Sequence, residues 1–227
     1  MEKPKPRSNS FVIHLVMVMC CYFVSSNNFV PNVVGAIESP HYTVVRSDPD
    51  FEIRLYNESS WMSALVRGTT SFENSTILGF HRLYQYIHGA NLNSTRIRIS
   101  APVLTSNIAS SEYYARLYLS SKYEKAPPQP NPELNLQLTK WKTQCLAVRN
   151  FSGFAKDDNI GSEVENLRNS LNTHLDIGKA VTLEDKSSFT IAQYNSSRHQ
   201  TGRLNEVWMK ILSGFTAEGC PPYQEGS

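Results

Sequence analysis

Seven residues near the middle of the chain constrain everything on either side of them. Ala126-Pro127-Pro128-Gln129-Pro130-Asn131-Pro132 carries four prolines, which fix φ and remove backbone donors. Such a run suits neither a helix nor a central strand and reads as a stiff connector. Regular structure must therefore be built in two blocks, and both blocks show the same order of signals. Before the connector, Phe51-Glu52-Ile53-Arg54-Leu55-Tyr56 alternates as a strand after a polar lead-in over 37–50. Trp61 to Arg67 is a second strand, a helix follows, Arg96 to Ser100 alternates as a third strand that Pro102 ends, and Tyr113 to Leu119 makes a fourth. A polar Ser/Asn loop separates the last two. After the connector, Leu134, Leu136 and Leu138 alternate with polar residues, and Cys145 to Phe151 is a strand. A helix over Ser162 to Leu175 follows, with Ser162 placed as its N-cap. Phe189 to Tyr194 and Glu206 to Ile211 close the set. Strand–strand–helix–strand–strand, written twice, predicts an α+β fold in which one sheet system carries both helices on its outside.

The first helix is rich in aromatic residues. Phe72, Ile77, Phe80, Leu83, Tyr84 and Ile87 recur at three- and four-residue steps and share a face, and Gly89 stops the helix as a left-handed cap would. Tyr84 belongs to that stripe and Tyr86 points elsewhere. The stripe reads either as plain core or as the wall of a site for a flat apolar ligand.

Residues 1–36 differ from the rest. Lys3, Lys5 and Arg7 precede an apolar run from Phe11 to Val24, and Val34-Gly35-Ala36 offers a cleavage site, which together predict a secretory signal peptide. Its removal leaves equal numbers of acidic and basic residues, with no basic run to invoke nucleic acid or an anionic membrane surface. The expected location is extracellular. Cys20 and Cys21 leave with the leader, and Cys145 and Cys220 would pair in an oxidising compartment. Asn-x-Ser/Thr acceptors stand at Asn57, Asn74, Asn93, Asn150 and Asn195. Asn93 and Asn195 fall in expected loops, and Asn150 falls in an expected strand.

Catalytic signatures are missing: there is no Gly-x-Ser-x-Gly, His-Glu-x-x-His, phosphate loop or zinc-spaced cysteine pair. The chain is expected to bind rather than to catalyse. His88 closes the aromatic helix and His199 lies in the turn over 195–204. Each could ligate iron, hydrogen-bond a carboxylate or simply be solvated. Arg198 and Arg203 flank the same turn, and their guanidinium groups suit carboxylates.

Taken in order, several stretches resemble the SOUL haem-binding protein family. They are Phe51-Glu52-Ile53-Arg54-Leu55-Tyr56, then Gly79-Phe80-x-x-Leu83-x-x-Tyr86-Ile87-x-Gly89-x-Asn91, Ala101-Pro102-Val103 and the proline connector. Val148-Arg149-x-Phe151-Ser152-Gly153 and Asn205-Glu206-Val207-Trp208 complete the match over 42–212. The resemblance implies a distorted antiparallel β-barrel of two β-α-β-β-like repeats, with halves at about 42–125 and 133–212. Residues 37–227 would then form one domain with a C-terminal tail. It also implies non-covalent binding of haem or another tetrapyrrole in a shallow apolar cleft between the first helix and the loop before the last strand. Carried over, Phe80, Tyr84 and Ile87 would line that cleft, His199 or His88 would reach iron, and Arg203 would meet the propionates. Two departures stand out: Leu55 occupies a position where some members carry histidine, and Ser100 replaces the threonine that usually precedes Ala-Pro-Val. The alternative is a secreted interaction module that keeps the fold without the ligand.

Overall fold

The computed structural model describes residues 37–109, 111–175, 182–183, 188–196, 201–213 and 220. Ten strands and two helices follow one another as β1 (Tyr42–Ser47), β2 (Glu52–Tyr56), β3 (Ser59–Arg67), α1 (Phe72–Ile87), β4 (Val103–Ala109) and β5 (Glu112–Tyr118). Beyond the connector come β6 (Leu136–Trp141), β7 (Gln144–Ser152), α2 (Ile160–His174), β8 (Thr182–Leu183), β9 (Phe189–Gln193) and β10 (Leu204–Ser213).

Every strand pairing is antiparallel, and nine strands run in the order β1-β2-β7-β10-β9-β4-β5-β3-β6, with β8 added against β10. The order is symmetric about the β4–β9 pair. β3-β5-β4 on one side mirrors β7-β10-β9 on the other, and each half lends a strand to the far side of its partner, β2 to β7 and β6 to β3. The repeat expected from the sequence is therefore present. The sheet curls without closing, because β1 and β6 are its two edges.

Residues paired across an antiparallel ladder share a face of the sheet. Met62, Leu117, Val103, Gln193, Asn205 and Phe151 form one such row across six strands. That face carries both helices. Leu83, Tyr86 and Ile87 of α1 pack on Met62, Ala64, Ala115 and Leu117, while Val164, Leu167 and Leu171 of α2 pack on Ile53, Ala147, Val207 and Met209. The opposite face, on the inside of the curl, holds Tyr56, Trp61, Leu104, Tyr118, Leu146, Val148, Ala192 and Trp208.

Four expectations are corrected. Arg96–Ser100 forms no strand: its alternation is real, with Ile97 buried, but it joins no ladder among the described residues, and the Ile97 N–H instead donates to the Ile87 carbonyl. The strand before β5 lies later, over the stretch taken as a polar loop. Ser106 fits there because its hydroxyl pairs with that of Thr190 on β9 at 2.7 Å. The lead-in contains β1, an edge strand whose exposed polar residues hide it. Asn159, not Ser162, sits at the N-cap of α2. A disulfide joins Cys145 on β7 to Cys220, as the cysteine count implied, so neither thiol is free.

Candidate functional site

Both ends of α1 are fastened. Ser71 caps the first turn by accepting from the Asn74 N–H at 3.1 Å, and Asp157 accepts from both the Ser71 hydroxyl and the Phe72 N–H at 2.6 Å. At the far end the buried Tyr86 hydroxyl donates to the Pro128 carbonyl at 2.8 Å, so the connector clamps the helix. Asn91 closes the turn that follows, donating to the carbonyls of Tyr86 and Thr95 and accepting from the Thr95 N–H. In the middle, Gly79 lies on β5 so closely that a Cβ there would come within 2.3 Å of the Ala115 Cβ.

The buried face of α1 therefore runs through Phe72, Ser75, Gly79, Leu83, Tyr86 and Ile87. Small residues at two of these positions bring the helix down onto the sheet, and they shift its register from the one that large apolar residues suggested. Ile87, expected to line a cleft, is core, packed with Met62, Leu83 and Ile97. Ile77, Tyr84 and His88 instead lie outward with Phe80 half-buried beside them, at 65% exposure for Ile77 and 46% for Tyr84. These positions recur at three- and four-residue steps over about 16 Å of helix. An apolar flank of this kind on a well-packed domain marks a surface for contact.

Two rings at the C-terminal end of the flank hold each other. Tyr84 and His88 stack with centroids 3.9 Å apart, and Phe80 lies 6.1 Å from Tyr84. His88 Nδ1 is 2.8 Å from the Tyr84 carbonyl oxygen. The segment after α1 returns alongside this end through the Ile97 N–H on the Ile87 carbonyl at 2.9 Å, which brings the exposed Arg96 to the same end of the helix. Arg96 was read only as a strand residue, since alternation gives no hint of what an unpaired segment lies against.

The remaining expected residues fall elsewhere. Arg203 is buried: its guanidinium donates to the Ser196 carbonyl at 2.6 Å and to the Asn195 carbonyl at 3.2 Å and covers the Phe154 ring, so it ties down the backbone ahead of β10. His199 and Arg198 lie outside the described residues. Leu55 packs beside the α2-side core, next to Cys145 in the ladder. Ser100 donates to the Tyr118 carbonyl at 2.5 Å, a bond that any hydroxyl residue could make. On the opposite flank of α1, Leu65, Arg67, Arg82, Asn135, Leu136 and Gln137 line an open cleft of about 490 Å³. There the Arg82 guanidinium spans from the helix to the Leu65 carbonyl at 2.6 Å, beside the side chains of Arg67, Asn135 and Gln137.

Signature residues from distant parts of the chain meet inside the curl. Glu206 accepts from Arg54 at 2.9 Å, from the Tyr194 hydroxyl at 2.7 Å and from the Trp208 indole at 2.7 Å. Arg54 also donates to Glu52, at 2.7 Å, and lies over the Tyr42 ring. Burial works against the Arg54 charge, yet Glu206, Tyr56 and Glu52 outweigh it and hold the guanidinium above its ordinary range. Burial, reinforced by Glu206, pushes the Tyr194 phenol far up.

For a tetrapyrrole, the Tyr84 flank fits with apolar and aromatic side chains and an imidazole, and the exposed Arg96 follows at the same end of the helix. Among the described residues no group of three metal-binding side chains is gathered, and no helix is long and apolar enough to cross a membrane.

Comparison with known proteins agrees with this architecture. The family model described as "SOUL heme-binding protein" matches residues 37–210. "Heme-binding protein 2" of Mus musculus is 28% identical over 184 residues, covering 77% of this chain and 86% of the relative. "Heme-binding protein 1" of Xenopus laevis is 25% identical over 187 residues, covering 78% of this chain and 94% of the relative. Among solved structures, the EcmrR C-terminal domain superposes with a TM-score of 0.51 at 10% identity, over 76% of this chain and 98% of that domain, a likeness of fold alone.

Proposed function

We propose, because this chain belongs to the SOUL heme-binding protein family, that it binds haem or a related tetrapyrrole non-covalently and acts as a carrier or buffer for it. One observation carries the placement of the ligand: the outward flank of α1, where Ile77, Phe80 and Tyr84 leave apolar surface beside the fixed ring of His88. Removing such surface from water would supply the affinity, at about 25 cal/mol per Å². Arg96 would meet the propionates at the solvent edge, in the role that the sequence assigned to Arg203. The protein acts by binding, in keeping with the names of its relatives.

The same reading puts the protein outside the cell, with residues 1–36 as the leader and 37–227 as one haem-binding domain. Its support is the basic-then-apolar N-terminus and the Cys145–Cys220 bridge, which persists in an oxidising compartment. Asn57, Asn74 and Asn93 are exposed and would accept glycans. Asn195 is a poorer acceptor, since it is half-buried and its side-chain oxygen accepts from the Leu204 N–H at 2.7 Å. Asn150 is exposed on β7, contrary to the obstruction expected of a strand.

The test is a titration of the purified protein with haemin and with metal-free protoporphyrin, followed by absorbance and tryptophan quenching. Saturation near one equivalent is expected, weakened by Tyr84→Ala. No saturable binding of either porphyrin would overturn the reading. It would favour the second one, an interaction module in which the same flank receives a protein, for which Leu55 in place of a histidine is the supporting observation.

A further inference from the structure

His88 is held in a single useful state. A neutral imidazole carries one N–H and one lone pair, and a backbone carbonyl can only accept. The 2.8 Å contact of Nδ1 with the Tyr84 carbonyl therefore places the proton on Nδ1 and leaves the lone pair on Nε2. Stacking on Tyr84 at 3.9 Å, with 29° between the planes, fixes the ring about its remaining rotation. The residue is exposed, and Nε2 makes no hydrogen bond among the described residues. An imidazole whose inner nitrogen donates to a carbonyl while the outer one stays open is the arrangement that metal-binding histidines adopt.

The other described histidines lack one part or another of this. His81, one turn before Tyr84 on the same flank, has both ring nitrogens near the Gln85 amide, at 3.3 and 3.4 Å. His174 faces Asp48 at 4.0 Å at the end of α2. His41 is exposed before β1, away from α1 in the chain, with no ring contact to orient it. Only His88 joins a fixed ring, an open nitrogen and an apolar flank.

We infer that His88 Nε2 is an axial ligand for the iron of a tetrapyrrole bound on this flank, so that the site prefers iron porphyrin to the metal-free macrocycle. This rests on the proposed tetrapyrrole binding and adds the atom that selects the metal. Tyr84 fixes the His88 ring, and Ile77 and Phe80 are the apolar side chains of the same flank that would lie under such a ligand.

The experiment compares ferric haemin with metal-free protoporphyrin on the wild type, His88→Ala and His81→Ala, by titration, Soret position and electron paramagnetic resonance. Haemin is expected to bind the wild type at least about tenfold more tightly than the metal-free porphyrin and to show a nitrogen-ligated ferric spectrum. His88→Ala should weaken haemin at least about tenfold more than it weakens the metal-free porphyrin, abolish the preference for iron, and regain the ligated spectrum when imidazole is added. His81→Ala should behave as wild type. Equal affinity for the two porphyrins in the wild type, or a ligated spectrum that survives His88→Ala, overturns the inference and leaves tetrapyrrole binding standing. Failure of both porphyrins to bind overturns both.

Discussion

Arg54 and Glu206 lie 152 residues apart in sequence and meet at 2.9 Å inside the curl of the sheet, each with its side chain at most 6% exposed. β2 and β10 each flank β7, so the pair ties a strand of the first half to the last strand of the second across the strand between them. Both residues belong to the stretches by which the family is recognised, and so do their neighbours Tyr56 and Trp208. That part of the signature records a buried polar network, not a ligand.

Truncating one partner leaves the other charge buried without its complement, which costs about 3–5 kcal/mol. Arg54→Ala and Glu206→Ala should each destabilise by that amount, while Arg54→Met with Glu206→Leu should cost less than the two single changes together. Denaturant titrations arranged as a double-mutant cycle would measure the coupling. Strict additivity would mean that the contact contributes nothing.

How far the fold was legible follows from which residues speak locally. The doubled order of elements could be read because Phe51, Ile53 and Leu55 alternate, while Cys145 to Val148 and Val207 to Met209 are the short continuous runs of strands buried on both faces. β4 was missed because Ser106 and Asn107 resemble a loop, and only the partner hydroxyl of Thr190, 84 residues away, makes Ser106 a sheet residue. Of the proposed site, the sequence offered the aromatic stripe and His88 as candidates, but it took the stripe for one face that included Ile87, because periodicity cannot reveal that Gly79 and Ser75 are the residues pressed onto the sheet. The burial of Arg203 and its bonds to the Ser196 and Asn195 carbonyls could not be read from the sequence, because backbone acceptors leave no mark in it.

Gly79 gives the second prediction. A methyl group there meets the Ala115 Cβ at 2.3 Å, and both atoms sit directly on backbone, so α1 must lift from β5. Alanine ordinarily favours a helix by about 1 kcal/mol over glycine. Here Gly79→Ala should instead destabilise by about 1–3 kcal/mol, and adding Ala115→Gly should restore part of the loss. Urea unfolding decides it: a stabilised Gly79→Ala protein would show that the helix does not lie so close.

The Cys145–Cys220 bridge joins residues 75 apart. Closing a loop of that length restricts the unfolded chain and stabilises by roughly 4 kcal/mol. Reduction should lower the urea midpoint accordingly. Cys145 belongs to the α2-side core, remote in the sheet order from the strands under α1, so porphyrin binding should survive reduction as long as the protein stays folded. A midpoint indifferent to reductant would show that the tail is not held by this bond.

Alkaline pH offers a fourth check. Burial, helped by Tyr123, pushes the Tyr86 phenol up to about 12 from an ordinary 10. The neutral form is the one that the fold favours, so its contribution is complete below pH 10. The unfolded chain releases its proton first as pH rises, and stability falls between 10 and about 12, by on the order of 2 kcal/mol from this residue. Tyr86→Phe loses the bond to Pro128 and should be about 1 kcal/mol weaker at neutral pH. Above pH 10 that gap should close or reverse. Stability curves that stay parallel through this window would show that Tyr86 is not the group responsible.

The flank of α1 separates binding from stability. Ile77 and Tyr84 are exposed, so Ile77→Ser and Tyr84→Ser should change stability by no more than about 0.5 kcal/mol. If tetrapyrrole rests there, each should still weaken it by roughly tenfold, since apolar surface that the ligand would cover has gone. Ile87→Ser reverses the pattern. Its side chain is core at 2% exposure, and the change should destabilise by about 2–5 kcal/mol while the fraction that remains folded binds normally. Paired measurements of urea midpoint and porphyrin affinity on the three variants locate the ligand. Weak binding by folded Ile87→Ser with full binding by Ile77→Ser and Tyr84→Ser would move the site off the outer flank, to a position beneath the end of the helix.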